Sequence, residues 1–344
     1  MRLDLAIRTL FAEFQESVFA RAALARELKQ SNTYVRKKVK GKVYWYLQRY
    51  EDGQYKQQYF GPSNIKNDSL VEKARRESRK NKSFLKQLGD RETRQAAMLR
   101  KGGLPGMDKR VATVLLNLSD ARLINEGGVL VGTLALNAYA GILGALFEKT
   151  TLKTNDIDVA YDSSLEIALG GSIDVQAILN KSSATFRGVP GFKMGELPAA
   201  FISSDGIRVD FVVPQRGRPR GVVPIRGLAG IAGVSLPFLD FLIESPIRTV
   251  LIAPNGGIPV QVPDPSRYAV HKLIVASRRS VVESAKRKKD LVQASQLIEV
   301  LADEYPSELI ARYKEASKRG TKWMRLLKKA VSELPSNIQE LLLS

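Results

Sequence analysis

The stretch TLKTNDIDVAYD, residues 151–162, sets two carboxylates one residue apart inside an apolar run. Asp156 and Asp158 flank Ile157, and Val159 and Ala160 follow. A short run of this kind predicts a strand. In a strand, residues i and i+2 point to the same side, so both carboxylates share one face and repel each other. That arrangement costs energy unless a cation sits between them. It also stands out in a chain of 344 residues with 35 Asp plus Glu against 54 Lys plus Arg.

The sequence on either side supplies two further features. Upstream, GGVLVGTLALNAYAGILGALF (127–147) predicts a buried strand at Val129–Val131, a turn at Gly132-Thr133 and a helix from Leu134 onward. A glycine at a strand-to-helix turn lets backbone approach a phosphate, and the new helix end offers free N–H donors at the positive end of its dipole. Downstream, AAFISSDGIRVDFVVP (199–214) predicts a hairpin turning at Asp205-Gly206, with its second strand beside the Asp156 strand. That second strand carries Asp210, a carboxylate that would be costly to bury unpaired. Three carboxylates on adjacent strands supply the oxygen ligands that two Mg²⁺ ions take, and two such ions can hold a triphosphate in line with an attacking hydroxyl.

Each signal has a plain structural alternative. Gly-Thr occurs in many turns, D-x-D can end a surface strand, and a single strand Asp can be a solvated edge residue. The ordered set carries more weight than its members. It resembles the nucleotidyltransferase fold of the DNA polymerase β superfamily, whose pattern is a Gly-Ser/Thr turn, a D-x-D strand and a later single Asp on a strand. Asp156 follows Gly132 by 24 positions, a longer gap than in many members. The segment K-T-N-D-I-D is similar to the R-x-S/T-x-D-h-D pattern of AbiEii-like nucleotidyltransferases, with Lys153 where that pattern often has Arg. Lys272, Arg278, Lys289 and Asp290 in DPSRYAVHKLIVASRRSVVESAKRKKD resemble the helical segment of the same group. The front end VYWYLQRY…YFGP also looks like that of a bacterial family of nucleotidyltransferase-fold proteins.

The resemblance implies transfer of a nucleoside monophosphate from an NTP, with release of pyrophosphate. Asp156, Asp158 and Asp210 are then the catalytic, metal-holding residues, Asp210 helping to activate the acceptor hydroxyl. Gly132, Thr133, Lys153 and Lys272 bind the nucleotide, and Mg²⁺ (two ions) is the cofactor. A toxin or phage-defence role, with an antitoxin as partner, follows from resemblance alone. The implied fold class is α+β: a mixed-sheet, Pol β-like core, a C-terminal helical subdomain, and a basic N-terminal helix and β-hairpin extension. His271, the one histidine, is either a packed residue in a helix or a base; Lys289 and Asp290 either act at the site or form a structural ion pair.

Composition narrows the partners. A formal net charge of +19 favours a polyanion, and we expect RNA, tRNA or another, rather than DNA. The absence of Cys excludes disulfides, thiolate metal sites and Cys nucleophiles. No apolar run reaches the roughly 18 residues of a membrane span, and the acids Asp4, Glu13 and Glu16 break any signal-peptide core. A cytoplasmic protein is expected, with no membrane partner.

In residues 1–101 the sequence predicts an amphipathic helix with an apolar stripe at Leu3, Ile7, Leu10, Phe14, Val18 and Leu24. That stripe docks on the catalytic domain, on a second copy in a homo-oligomer, or on an antitoxin. A two- or three-stranded sheet follows, turning at Gly53, and then a charged helix over 64–100, possible to break at Gly89. Lys37, Lys38, Lys40, Lys42, Tyr44 and Tyr46 are expected to bind nucleic acid there, cations meeting phosphates and rings meeting bases; the alternative is a small sheet with solvated lysines. The loop RGRPRG (216–221), with Arg216 and Arg218, either grips acceptor RNA or is solvated. GGLPG (102–106) separates this region from a catalytic core over 107–263. A helical subdomain over 264–344 follows: a helix capped by Asp264, another from about Val281, and two more in the tail. The acceptor could instead be a protein hydroxyl or a small molecule, or the fold could persist as an inactive nucleic-acid-binding protein.

Overall fold

The computed structural model describes residues 2–30, 33–51, 54–124, 127–148, 152, 154–162, 173–191, 195–218 and 221–343. Gly53 and Lys153, named above, lie outside the described residues, as do Pro219 and Arg220 of the basic loop.

Helix α1 (Leu5–Gln30) and helix α2 (Ile65–Lys101) pack as a pair, and between them the chain forms strands β1 (Thr33–Val39), β2 (Lys42–Glu51) and β3 (Gln54–Pro62). These three make one antiparallel sheet in the order β1-β2-β3. Helix α2 starts at Asn64, whose side chain accepts from the Asn67 N–H, and its 37 residues extend about 55 Å. It runs unbroken through Gly89. A mid-helix glycine costs about 1 kcal/mol, and burial of Leu88, Glu92, Gln95, Ala96 and Leu99 along the same half of the helix outweighs it.

A central mixed sheet follows. Its spatial order is β10 (Val222–Pro224), β12 (Ala232–Leu236), β9 (Arg208–Pro214), β5 (Asp156–Tyr161), β4 (Gly128–Val131), while β8 (Ala200–Ser203) joins β9 and β7 (Phe186–Gly188) joins β8. Strand β5 runs antiparallel to β4 and parallel to β9. The expected hairpin is present as β8 and β9, with β9 beside β5. Helix α3 (Lys109–Asp120) precedes β4, and α4 (Gly132–Ile142) follows it directly. Two minor sheets pair β6 (Ile173–Asp174) with β11 (Leu228–Ala229), and β13 (Ile247–Ala253) with β14 (Gly256–Val262).

The C-terminal part is helical. Asp264 caps helix Pro265–Arg278 by accepting from the Arg267 N–H at 3.0 Å. A 3₁₀ turn, Val281–Glu283, leads into helix Ser284–Glu304. The tail then forms three helices rather than two: Pro306–Ser317, Thr321–Val331 and Ser336–Leu343. Gly320, at φ +125°, and Pro335 mark the two breaks.

One apolar cluster runs through the central sheet, the C-terminal helices and helices α1 and α2. Phe11, Phe14 and Val18 of α1 belong to it. A Cβ on Gly257 of β14 would lie 2.2 Å from a Val18 methyl, so glycine there is what lets α1 lie against the hairpin. Arg21 of α1 bridges the same contact, donating to Glu92 at 2.7 Å and to the Gly257 carbonyl at 3.0 Å. No described helix is long and apolar enough to cross a membrane.

Candidate active site

The site forms where β4, β5 and β9 lie side by side. Val131 pairs with Asp158, and Asp158 pairs with Asp210, so three neighbouring strands deliver the end of β4 and two carboxylates at one level. Asp156 sits two residues earlier on β5, on the same face, opposite Arg208. Asp156 is exposed and Asp158 is half-buried. Burial first, then repulsion from Asp210 and Asp156, pushes the Asp158 carboxyl up from its ordinary value to about 6, with Lys272 and Arg208 opposing. The repulsion anticipated from the D-x-D spacing is therefore present in the fold.

Gly132 begins α4 beside this carboxylate. Its φ is +67°, and a Cβ there would lie 2.2 Å from the Asp158 Oδ2. Both facts exclude a side chain. Val131 caps α4 without a side-chain hydrogen bond of its own, so the N-cap residue leaves the first N–H groups of the helix uncapped. The Tyr268 hydroxyl donates to the Gly132 carbonyl at 2.8 Å and so ties the turn to helix Pro265–Arg278. Tyr268 in turn meets Tyr139 edge-on at 5.2 Å.

Lys272 lies one turn beyond Tyr268. Its ammonium is 5.5 Å from the Tyr268 ring centre and donates to Asp290 at 2.7 Å. Burial alone would lower it, but Tyr268, Asp290 and Asp158 hold it above the ordinary lysine range. Asp290 also accepts from Arg279 at 3.0 Å. The ion pairs of Asp290 thus run to Lys272 and Arg279, and not to the adjacent Lys289 considered from sequence. Burial and the neighbouring Lys272 charge lower Lys289, with Asp290, Asp156 and Asp158 pulling the other way, which places its charge within the field of the site. Burial, reinforced by Lys272, pushes His271 down to about 3, so it is neutral at pH 7 and a weak base.

Two participants escaped the sequence reading. Tyr268 has no motif that marks it. Arg208 does: it lies two residues before Asp210 and shares its face. It grips both oxygens of Asp210, Nε to Oδ2 at 2.7 Å and Nη2 to Oδ1 at 2.8 Å. This grip bears on metal binding. The carboxylate oxygens are hard donors of the kind Mg²⁺ takes, and the missing Cβ of Gly132 lets the turn lie against the Asp158 carboxylate. Among the described residues, no group of three or more His, Cys, Asp or Glu side chains stands ready to hold a metal ion. The donor set fits the ion in kind, and its third member is engaged by a guanidinium.

The residues expected to meet nucleic acid are divided. Side chains alternate along the N-terminal sheet, so Lys37, Lys42, Tyr44 and Tyr46 share the face away from α2, Lys38 lies on the opposite face, and Lys40 sits in the β1–β2 turn at φ +48°. Arg216 reaches Asp162, just beyond β5, at 3.0 Å, and Arg218 is exposed. A cavity of about 570 Å³ adjoins the start of β5, lined by Met107, Val111, Leu134, Asn137, Leu152 and Asn155. Its volume is ample for a nucleoside, and Asn137 Oδ1 in its wall has no hydrogen-bond partner among the described residues.

A family model described as nucleotidyltransferase matches residues 109–318, well over half of the chain. The match takes in β4, α4, β5, β9 and the helices bearing Lys272 and Asp290. No curated protein and no solved structure matches.

Proposed function

The chain belongs to the nucleotidyltransferase family, and on that premise we propose that it moves a nucleoside monophosphate from an NTP onto RNA at the strands bearing Asp156, Asp158 and Asp210. Membership makes it a transferase of EC 2.7.7 type. The single observation that carries the residue assignment is the pairing of Asp158 with Asp210 beside a glycine turn that admits no Cβ.

The α4 N-terminus and Thr133 receive the terminal phosphates, donating backbone N–H and hydroxyl groups. Lys272, held beside them by Asp290, supplies a fixed positive charge. The acceptor hydroxyl oxygen forms a bond to the α-phosphorus, the bond from that phosphorus to the β-phosphate oxygen breaks, and pyrophosphate leaves. Asp210 accepts the hydroxyl proton once Arg208 has moved from its carboxylate. Asp156, Asp158 and Asp210 would hold Mg²⁺, which when bound neutralises the phosphates and polarises the hydroxyl. RNA is the favoured acceptor because the chain carries a net charge of +19. A toxin or phage-defence setting would suit such a transfer, and only the motif resemblance supports it.

The test is incubation of the purified protein with each α-³²P-labelled NTP, Mg²⁺, and cellular RNA plus protein, beside the Asp156→Ala/Asp158→Ala variant. Label on RNA that the variant cannot add supports the proposal. Label on protein moves the acceptor to a protein hydroxyl. No label, with RNA binding equal in both forms, leaves a nucleic-acid-binding protein.

A further inference from the structure

The N-terminal sheet has two unlike faces. One lies on α2. Trp45 is 1% exposed there, its indole N–H donates to Asp68 of α2 at 2.6 Å, and Arg75 of α2 donates to the Tyr34 carbonyl at 3.1 Å. The other face turns to solvent. Tyr44, Tyr46 and Tyr59 meet on it, with ring centres 6.0 Å apart for Tyr44–Tyr59 and 5.7 Å for Tyr46–Tyr59. Lys37 sits 5.0 Å from the Tyr46 ring centre, and Lys42 shares the face. Tyr59 is 55% exposed.

We propose that this solvent face binds single-stranded RNA, with its tyrosines stacking on unpaired bases and Lys37 and Lys42 meeting the phosphates. The inference rests on the reading of RNA as acceptor and names the form in which it is held. Charge complementarity supports a polyanion: residues 33–62 contain seven Lys or Arg against Glu51 and Asp52. Ring chemistry selects the single strand. Bases inside a duplex are stacked on each other and offer their faces to nothing else, whereas unpaired bases stack on aromatic side chains. Reading base edges in a groove needs amide or guanidinium forks, and the two glutamines on this face, Gln48 and Gln57, are tied to each other. Gln57 donates to Gln48 at 2.8 Å. The A-form major groove is in any case too deep and narrow for side chains to read.

The proposal is tested without catalysis. The full chain is titrated, in EDTA and without NTP, into a fluorescein-labelled 12-nucleotide RNA, into its blunt duplex, and into the same sequence as duplex DNA, reading anisotropy. We expect the single strand to bind at least ten-fold tighter than either duplex. Tyr46→Ala/Tyr59→Ala should weaken it at least ten-fold. Tyr46→Phe/Tyr59→Phe keeps the rings and should bind as the native protein does, which also covers the case in which the alanine variant fails to fold. Lys37→Gln/Lys42→Gln should lower the slope of log affinity against log salt by about 1.4, while Lys328→Gln, exposed on the helix Thr321–Val331, should change affinity less than two-fold. Equal or tighter duplex binding, of RNA or DNA, overturns the proposal, as does a phenylalanine variant that loses binding. Because no NTP is present, failure here leaves label transfer at the carboxylates standing, and failure of label transfer leaves this binding standing.

Discussion

At the scale of single residues, Gly132 and Asp158 constrain each other. A Cβ on residue 132 would need a left-handed backbone, costing roughly 1–2 kcal/mol, and would meet the Asp158 carboxylate. Gly132→Ala should therefore lower stability by about 2 kcal/mol in denaturant melts and reduce label transfer by more than ten-fold. Asp158 itself is held against its own preference. Its folded value of about 6 lies above the ordinary 3.8, so the folded chain binds a proton that the unfolded chain has released across that interval. Metal-free protein should thus lose stability as pH rises from about 4 to 6. Asp158→Asn removes the charge and should flatten that pH dependence, gaining on the order of 1 kcal/mol at pH 7 while abolishing transfer. A variant less stable than the native protein at pH 7 would contradict this account of the site.

At the scale of elements, the N-terminal sheet depends on a small clamp. Hydrogen bonds from Trp45 and Ser63 hold the Asp68 carboxyl below the ordinary carboxylate range, with Arg36 adding to them. Its contribution is present above about pH 4 and fades as pH falls through the depressed value. Asp68→Ala should free Trp45, shifting its emission to the red in a Trp323→Phe background, with helix content by circular dichroism unchanged. What could be read beforehand follows the same physics. The β4–α4 turn, the D-x-D strand and the β8–β9 hairpin were legible because turn residues and short apolar runs are local signals. The front sheet reads from sequence as two or three strands, and it has three. The continuity of α2 through Gly89 was not, because α1 and the Gly257 hairpin hold it from outside. Arg208 on Asp210 and Lys272 on Asp290 are contacts whose partners only the fold chooses.

At the scale of the whole molecule, helices α1 and α2 and the central sheet share one apolar cluster. Phe14 of α1 is fully buried in it, so Phe14→Ala should cost roughly 3–5 kcal/mol. The loss should appear as one earlier transition at Trp323, which packs against the cluster, and at Trp45, which is tied to α2 through Asp68, seen by placing phenylalanine at each tryptophan in turn. Two separated transitions would mean the halves fold independently. Helix α2 joins the two parts: its Ala96 and Leu99 lie in the cluster, and its Asp68 and Arg75 hold the front sheet.

Pyrophosphate release, followed for each NTP with and without RNA in native protein and in Asp158→Asn, tests the proposed transfer at its centre. The account predicts release that requires Mg²⁺, rises with RNA and vanishes in the variant. Release that persists in Asp158→Asn would show that the paired carboxylates of β5 and β9 are not where the chemistry happens.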